Sequence, residues 1–371
     1  MIRLFGILSF FLFSLSAFAQ IADTTEIVEK KSKKVKLALY PALGYEPETK
    51  LQYGVIAFLV VNSEKAAQRS GFYRPTSISP FFLYTVNNQM KLAVDMDAYL
   101  NNGINLPMWL RYYIYPDFYF GIGNDNVLDS IETYTNRYFR FEGRVYYPVN
   151  PKLFVGVRYD AQENDIYDFE EGRNLEELTV PGSRGGVNAG FGPALRYDSR
   201  NSILYPTRGI YFRFETSFFG GYLGGDYNYG AYLIDFRKYM KIKNENNVFA
   251  FQVMADLRSG GDVPFYKLPY IGGDERLRGI ENRNLYLDRQ AMLVQAEFRK
   301  HLFWRFGGVV FAGAGDVFPS FGEFDANDLK YVLGVGGRFM AIRDEKLNIR
   351  LDVGMASNEQ FAFYLSVREA F

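Results

Sequence analysis

Apolar and polar residues alternate one for one through long stretches of the chain. Met292, Val294, Ala296 and Phe298 share one face, with Gln295, Glu297 and Arg299 on the other. Leu347, Ile349, Leu351, Val353 and Met355 likewise oppose Asn348, Arg350, Asp352 and Gly354. A period of two belongs to a strand whose faces meet different surroundings. After residue 20 no apolar run approaches the roughly 18 residues that a transmembrane helix requires, so the alternation predicts strands with lipid outside and water inside. An arginine turned to lipid near the midplane would cost roughly 2–4 kcal/mol, so the charged set must face the lumen and the register is strongly fixed.

Alternation and turn signals divide the chain into sixteen strands near 36–46, 49–62, 76–86, 89–101, 104–115, 131–148, 151–162, 187–198, 207–219, 227–240, 247–258, 289–302, 305–318, 329–342, 346–357 and 360–371. The fold class is all-β, a transmembrane antiparallel β-barrel. With the N-terminus in the periplasm, the odd-numbered connections are external. They include the long ones at 116–130, 163–186, 259–288 and 319–328, whereas most even ones are tight, which is the asymmetry of outer-membrane barrels. A longer even connection at 63–75 is the exception. In the last strand Phe361, Phe363, Leu365, Val367 and Phe371 are expected outward, with Tyr364, Ser366 and Arg368 inward.

Composition supports this picture. Aromatic residues make up 18% of the 371 residues, with 35 Phe and 29 Tyr, and suit girdles at both membrane interfaces. Charge is balanced at 42 basic against 42 acidic residues, which implies neither nucleic acid nor an acidic surface as partner. Residues 1–19 carry Arg3, an apolar core and the ending Ala17-Phe18-Ala19, so they read as a cleaved signal peptide. The absence of cysteine closes the lipoprotein route and excludes disulfides. The expected organisation is a signal peptide at 1–19, a short periplasmic tail at 20–35 and a barrel at 36–371, located in the outer membrane of a diderm bacterium.

Just before the strand containing Glu297 stands Leu277-Arg278-Gly279-Ile280, in the sixth external loop by the parity count. An arginine there can fold back into the barrel and pair with an inward carboxylate. The tip resembles that of the bacterial surface-antigen superfamily of BamA-like outer-membrane assembly and translocation barrels. Other stretches fit the same family: Ala296-Glu297-Phe298-Arg299, Tyr197-Asp198-Ser199-Arg200 with Tyr205-Pro206-Thr207-Arg208-Gly209, Gly334-Val335-Gly336-Gly337-Arg338, Arg350-Leu351-Asp352 and Glu369-Ala370-Phe371. The resemblance implies a sixth external loop folded into the lumen and a terminal Phe371 that serves as an insertion signal. It also departs from the family in two ways. At most 16 residues separate the signal from the first strand, so the chain looks like a member without POTRA domains. The family's Phe-x-Asp-x-Gly strand reads Phe311-Ala312-Gly313-Ala314-Gly315, so the carboxylate that would meet the loop arginine is missing. Asp316 is out of phase, which leaves Glu297 and Asp352 as the expected lumen partners of Arg278.

Enzymatic chemistry has little support. His301 is the single histidine, at a strand end with no serine motif or telling acidic partner, and a metal or other cofactor is not expected. The Gly-rich segments 182–186 and 220–225 lack a P-loop Lys-Ser/Thr and read as loops. The family role is insertion or translocation of proteins or lipids through a weak first-to-last seam; Pro41 and Gly44 weaken ladder pairing in the first strand, which fits a loose seam and equally fits the ordinary tolerance of Pro at a strand edge. The alternative is a passive channel or scaffold subunit of an outer-membrane complex. Expected partners are outer-membrane lipids, the barrel-insertion machinery during biogenesis, and periplasmic or outer-membrane proteins that replace the POTRA domains.

Overall fold

In a computed structural model of the protein, the described residues are 35–46, 49–61, 76–100, 103–128, 131–177, 180–342, 346–357 and 359–371. They contain β1 (Val35–Glu46), β2 (Lys50–Val61), β3 (Thr76–Thr85), β4 (Met90–Tyr99), β5 (Asn105–Tyr119), β6 (Glu132–Pro148), β7 (Leu153–Tyr167) and β8 (Gly185–Asp198). The second half adds β9 (Gly209–Phe219), β10 (Tyr229–Ile242), β11 (Asn244–Gly260), β12 (Gln290–Phe303), β13 (Phe306–Phe318), β14 (Lys330–Ile342), β15 (Leu347–Ala356) and β16 (Phe361–Val367). Neighbours in sequence pair antiparallel, and β16 returns to β1, which closes a sixteen-stranded barrel. The signal-like segment 1–19, residues 20–34 of the expected tail and the connection at 63–75 lie outside the described residues. Val35 already belongs to β1.

Alternation sets the two faces of the wall. On β12 Val294 is 40% exposed on the outside, while Gln295 beside it is 3% exposed inside. At the short-turn end Phe303, Trp304, Phe306 and Phe339 pack together on the rim. At the long-loop end Phe191 meets Tyr222 and Phe218 meets Tyr232. These rings lie where an amphipathic aromatic is most favourable, between hydrocarbon and water.

Two strands run further than their composition suggests. β5 continues to Tyr119, and β7 continues through Glu163-Asn164-Asp165 to Tyr167. The polar stretch in β7 looked like a turn, but Asp165 pairs in register with Arg137 of β6 and forms an ion pair with it. The strand therefore rises past the lipid, where charge on its outer face is tolerated.

The end of the chain departs from expectation. β16 stops at Val367, and Arg368 has φ 75°, in the left-handed region, which ends the period-two alternation. Arg368, expected inward, is exposed. Phe371, expected on the lipid face, turns inward and packs against Tyr239, Ala250 and Ala370. Among the described residues the seam has a single register pair, Tyr45↔Leu365, whereas every residue of β1 from Val35 to Glu46 pairs with β2.

Candidate functional site

The connection from β11 to β12, residues 261–289, enters the barrel and seats its tip on the inner wall. Ile271 and Leu277 are joined by a backbone hydrogen bond of 2.9 Å, and a turn from Leu277 to Ile280 presents Arg278 at its corner. Leu277, Arg278 and Ile280 are each fully buried. The wall receives the tip because glycine leaves room for it. At Gly313 a Cβ would lie 2.7 Å from Leu277 Cδ2, so the position where the family carries an acid holds the tip leucine instead. Gly279 lies against the Met355 backbone and Val332, and Gly354 lies under the Arg278 carbonyl. Gly354→Ala is expected to lift the tip, because the new methyl would occupy the place of that carbonyl. Limited trypsin digestion of folded barrels would then cut at Arg276 or Arg278 in the variant and leave the unaltered loop whole.

Arg278 reaches two strands. Its Nη2 donates to Glu297 Oε2 at 2.5 Å and its Nη1 to Asp352 Oδ2 at 2.7 Å, while the guanidinium lies 3.9 Å from the Phe311 ring centroid. Asp316 takes no part in this and accepts from Asn124 at 3.0 Å. The network extends beyond the pair. Glu297 also accepts from Arg299 Nε at 2.5 Å, and Asp352 from Arg338 at 2.6 Å and Arg350 at 3.0 Å. Arg350 Nη2 donates in turn to Asp274 at 2.6 Å, and Arg338 Nε donates to Glu369 at 2.8 Å. Four guanidiniums thus meet four carboxylates. Such a buried set is tolerated because opposite charges stand at hydrogen-bond distance, although Arg278 Nε, Arg299 Nη1, Arg338 Nη2 and Arg350 Nε are left without a partner.

The network also holds the inward-turned terminus. Arg299 Nη2 donates to the Phe371 main-chain oxygen at 2.7 Å, and Asn348 Nδ2 donates to Glu369 Oε1 at 2.7 Å. Burial pushes the Glu369 carboxyl up, but the Arg338 and Arg299 guanidiniums outweigh it and hold the group below its ordinary value. The tip touches β16 as well. Tyr364 OH donates to the Ile280 carbonyl at 2.8 Å and Ser366 Oγ to Asp274 at 2.8 Å. In the sequence Arg338 and Glu369 stand within the family-like stretches without a role of their own and Asp274 carries no signal, whereas the alternation along β15 already sets Arg350 toward the lumen.

Further anchors hold the loop elsewhere. Lys267, in the short 3-10 turn Phe265–Lys267, lies 3.5 Å from Asp160 on β7, across the lumen from β12 and β15 in strand order. Arg276 pairs with Asp256 on β11 at 3.3 Å. The fifth connection joins in, with Gly123 N donating to Leu287 O at 2.8 Å and Asn126 Nδ2 to Leu285 O at 3.0 Å. Phe120, Ile271, Leu277, Ile280 and Leu285 share one apolar cluster with the wall residues Leu293, Val317 and Val332. The loop is therefore an internal cross-brace, and its charges meet opposite charges on the barrel wall. Among the described residues no three His, Asp or Glu side chains are placed to hold a metal ion.

Comparison with known proteins agrees with this architecture. The BamA outer membrane protein assembly factor of Nitratidesulfovibrio vulgaris is 25% identical over 271 residues, which is 72% of this chain and 31% of that protein. The chain thus spans about a third of the length of that curated relative. The crystal structure of BamA from Haemophilus ducreyi lacking POTRA domains 1–3 superposes with a TM-score of 0.62 at 13% identity, over 91% of this chain and 71% of that one. CdiB from Acinetobacter baumannii gives a TM-score of 0.58 at 10% identity, over 91% and 60%. The described residues of the present chain hold the barrel and no POTRA module. Residues 64–356 match the Omp85 superfamily domain, and the chain belongs to that superfamily.

Proposed function

We propose that this outer-membrane barrel assists the insertion or translocation of proteins or lipids, using the edge of β1 as its working surface. The observation that carries the reading is the seam. One register pair joins β1 to β16 among the described residues, and Leu37 and Leu39 are 73% and 66% exposed where β16 no longer runs beside them. An unpaired strand edge is a template for another strand, so a client strand can add there by β-augmentation. The relative named above is an assembly factor for outer membrane proteins, which favours protein clients. Arg278 acts as a structural strut in this reading, with Glu297 and Asp352 as its counter-charges. Catalysis has no part in it.

Residues 1–19 serve as the export signal and are removed. Phe371 marks the chain for the barrel-insertion machinery during its own biogenesis and turns inward once the barrel has closed. Delivery of clients falls to periplasmic or outer-membrane partner proteins. The rival reading, a passive channel or scaffold subunit, meets an obstacle in the loop that crosses the lumen.

Because the chain has no cysteine, Tyr45→Cys with Leu365→Cys gives a clean lock on the seam. In liposomes the unaltered barrel is expected to speed the insertion of an unfolded barrel client, and oxidation of the double variant to stop it reversibly. Steady ion conductance that ignores the lock, with no effect on insertion, would establish the channel in its place.

A further inference from the structure

A second set of charges lines the inner wall of β6 to β10, and it does not balance as the loop-tip set does. At mid-depth and toward the short turns, Arg140, Arg144, Arg158, Arg196, Arg213 and Arg237 share the inner face with Glu142, Asp160, Glu215 and Asp235, so guanidiniums outnumber carboxylates. Each of these carboxylates is already taken. Glu142 and Asp160 lie among Arg140, Arg144 and Arg158. Glu215 accepts from Arg144 Nε at 2.9 Å, Arg144 Nη2 at 2.7 Å and Tyr146 OH at 3.0 Å. Asp235 accepts from Arg237 Nη2 at 2.7 Å and Gln252 Nε2 at 2.9 Å, and at the rim Arg200 occupies Asp198.

Arg196 and Arg213 are left over. They stand directly opposite each other on β8 and β9, a placement of like charges that costs stability unless a counter-charge joins them. Arg213 reaches Asp235 only at 3.4 Å, and its Nε is buried without a partner. Arg196 pairs with no carboxylate among the described residues. Its guanidinium lies against the rings of Tyr146 and Phe154, 4.5 Å from each centroid, and its Nε and Nη2 have no partner. Single unmade N–H bonds occur in the loop-tip set too, but each guanidinium there holds a carboxylate, and Arg196 holds none. Arg196 is 8% exposed at the back of the site, whereas the side chains of Arg213 and Arg237 are 25% and 21% exposed toward the lumen.

An excess of directed donors selects an anion with several acceptor oxygens. A guanidinium fork can give two parallel N–H bonds to a phosphate, and two forks on adjacent strands, with Cα atoms roughly 4.5–5.5 Å apart in any antiparallel pair, can bracket one tetrahedral group. We propose that Arg196 and Arg213, with Arg237 at the entrance, form a binding site for a phosphate group on the lumenal wall of β8 to β10. The group comes from a phosphate-bearing lipid headgroup or from free phosphate, and the chemistry of the site is the same for both. β9 lies across the barrel from β1 in strand order, so the site stands apart from the working edge proposed above, and its test reads binding instead of insertion.

The test is calorimetric titration of detergent-folded barrels with sodium phosphate and, separately, with dihexanoyl phosphatidate below its micelle concentration, each against chloride at equal ionic strength. Saturable binding to the unaltered barrel is expected. Arg196→Met keeps an apolar stem against the rings and removes one fork, and Arg213→Gln removes the other. Each should weaken binding by about tenfold or more, the weight of one charge-assisted hydrogen bond. Arg213→Gln alters the more exposed residue and carries the test if Arg196→Met does not fold. Tighter binding of phosphatidate than of phosphate identifies a lipid headgroup as the source, and equal or tighter binding of phosphate identifies the free ion. The site is overturned if neither probe binds the unaltered barrel saturably, or if a folded variant binds as tightly as the unaltered barrel.

Discussion

Asp352→Asn is expected to lower the stability of the folded barrel by roughly 3–5 kcal/mol, the range for breaking a buried ion pair by removing one partner. Three guanidiniums converge on this carboxylate, those of Arg278, Arg338 and Arg350, and no part of it reaches water. The amide keeps the shape and one acceptor but removes the charge, which leaves four cations facing three carboxylates in a dry part of the lumen. Asp274→Asn is the matched control. Its side chain is 27% exposed and bears one guanidinium, so solvent screens the loss and about 1 kcal/mol or less is expected. Urea unfolding of detergent-folded barrels, followed by the mobility difference between folded and heated protein, measures both. Equal midpoints for the two variants would remove Asp352 from the centre of the network. In the same assay Arg278→Ala and Glu297→Ala should be non-additive, since each removes the partner that the other has lost.

The walls of the barrel were legible in the sequence because lipid and water impose opposite demands on alternate residues. That contrast made the parity of β12 and β15 readable, with Glu297 and Asp352 inward. It also allowed the connections to be counted, so that Leu277-Arg278-Gly279-Ile280 could be placed in the sixth external loop before any geometry was known. Where the contrast fades, so does legibility. Glu163 and Asp165 lie above the lipid, and their polarity looked like a turn although the ladder continues through them. Phe371 suits a lipid face and a dry lumen equally well. Only the left-handed backbone at Arg368 decides between the two, and a charged residue gives no sign that it will adopt that conformation.

The missing acid at Gly313 is instructive for another reason. A lost carboxylate pointed to Glu297 and Asp352 as the partners of Arg278, but the sequence does not show that Leu277 fills the vacated space. The contacts of the loop with β7 were equally invisible, because Lys267 stands in a stretch with no periodicity to orient it.

Lys267 gives the second large effect, a dependence on pH. Burial lowers its ammonium to about 7. Asp160, 3.5 Å away, opposes that shift but already accepts from Arg140 and Arg158, whose positive charges lower Lys267 further. In the unfolded chain the same group titrates near 10.4. Between these values the unfolded state binds more protons than the folded one, so stability rises with pH from about 7 upward, with a slope of at most about 1.4 kcal/mol per pH unit. Below about pH 7 both states are protonated and the full penalty of a buried charge remains. Lys267→Met keeps the stem and removes the charge, so it should stabilise the barrel most at pH 6 and progressively less at pH 8 and above. The decisive quantity is the difference between variant and unaltered midpoints across pH 6 to 8.5, where the tyrosines and the other lysines of the unfolded chain stay protonated. A difference that does not vary with pH would mean that Lys267 is charged throughout and that its ion pair with Asp160 fully offsets its burial. A difference that shrinks as pH rises would identify Lys267 as the weak point of the brace, the place where the loop is held to β7 at the cost of a buried charge.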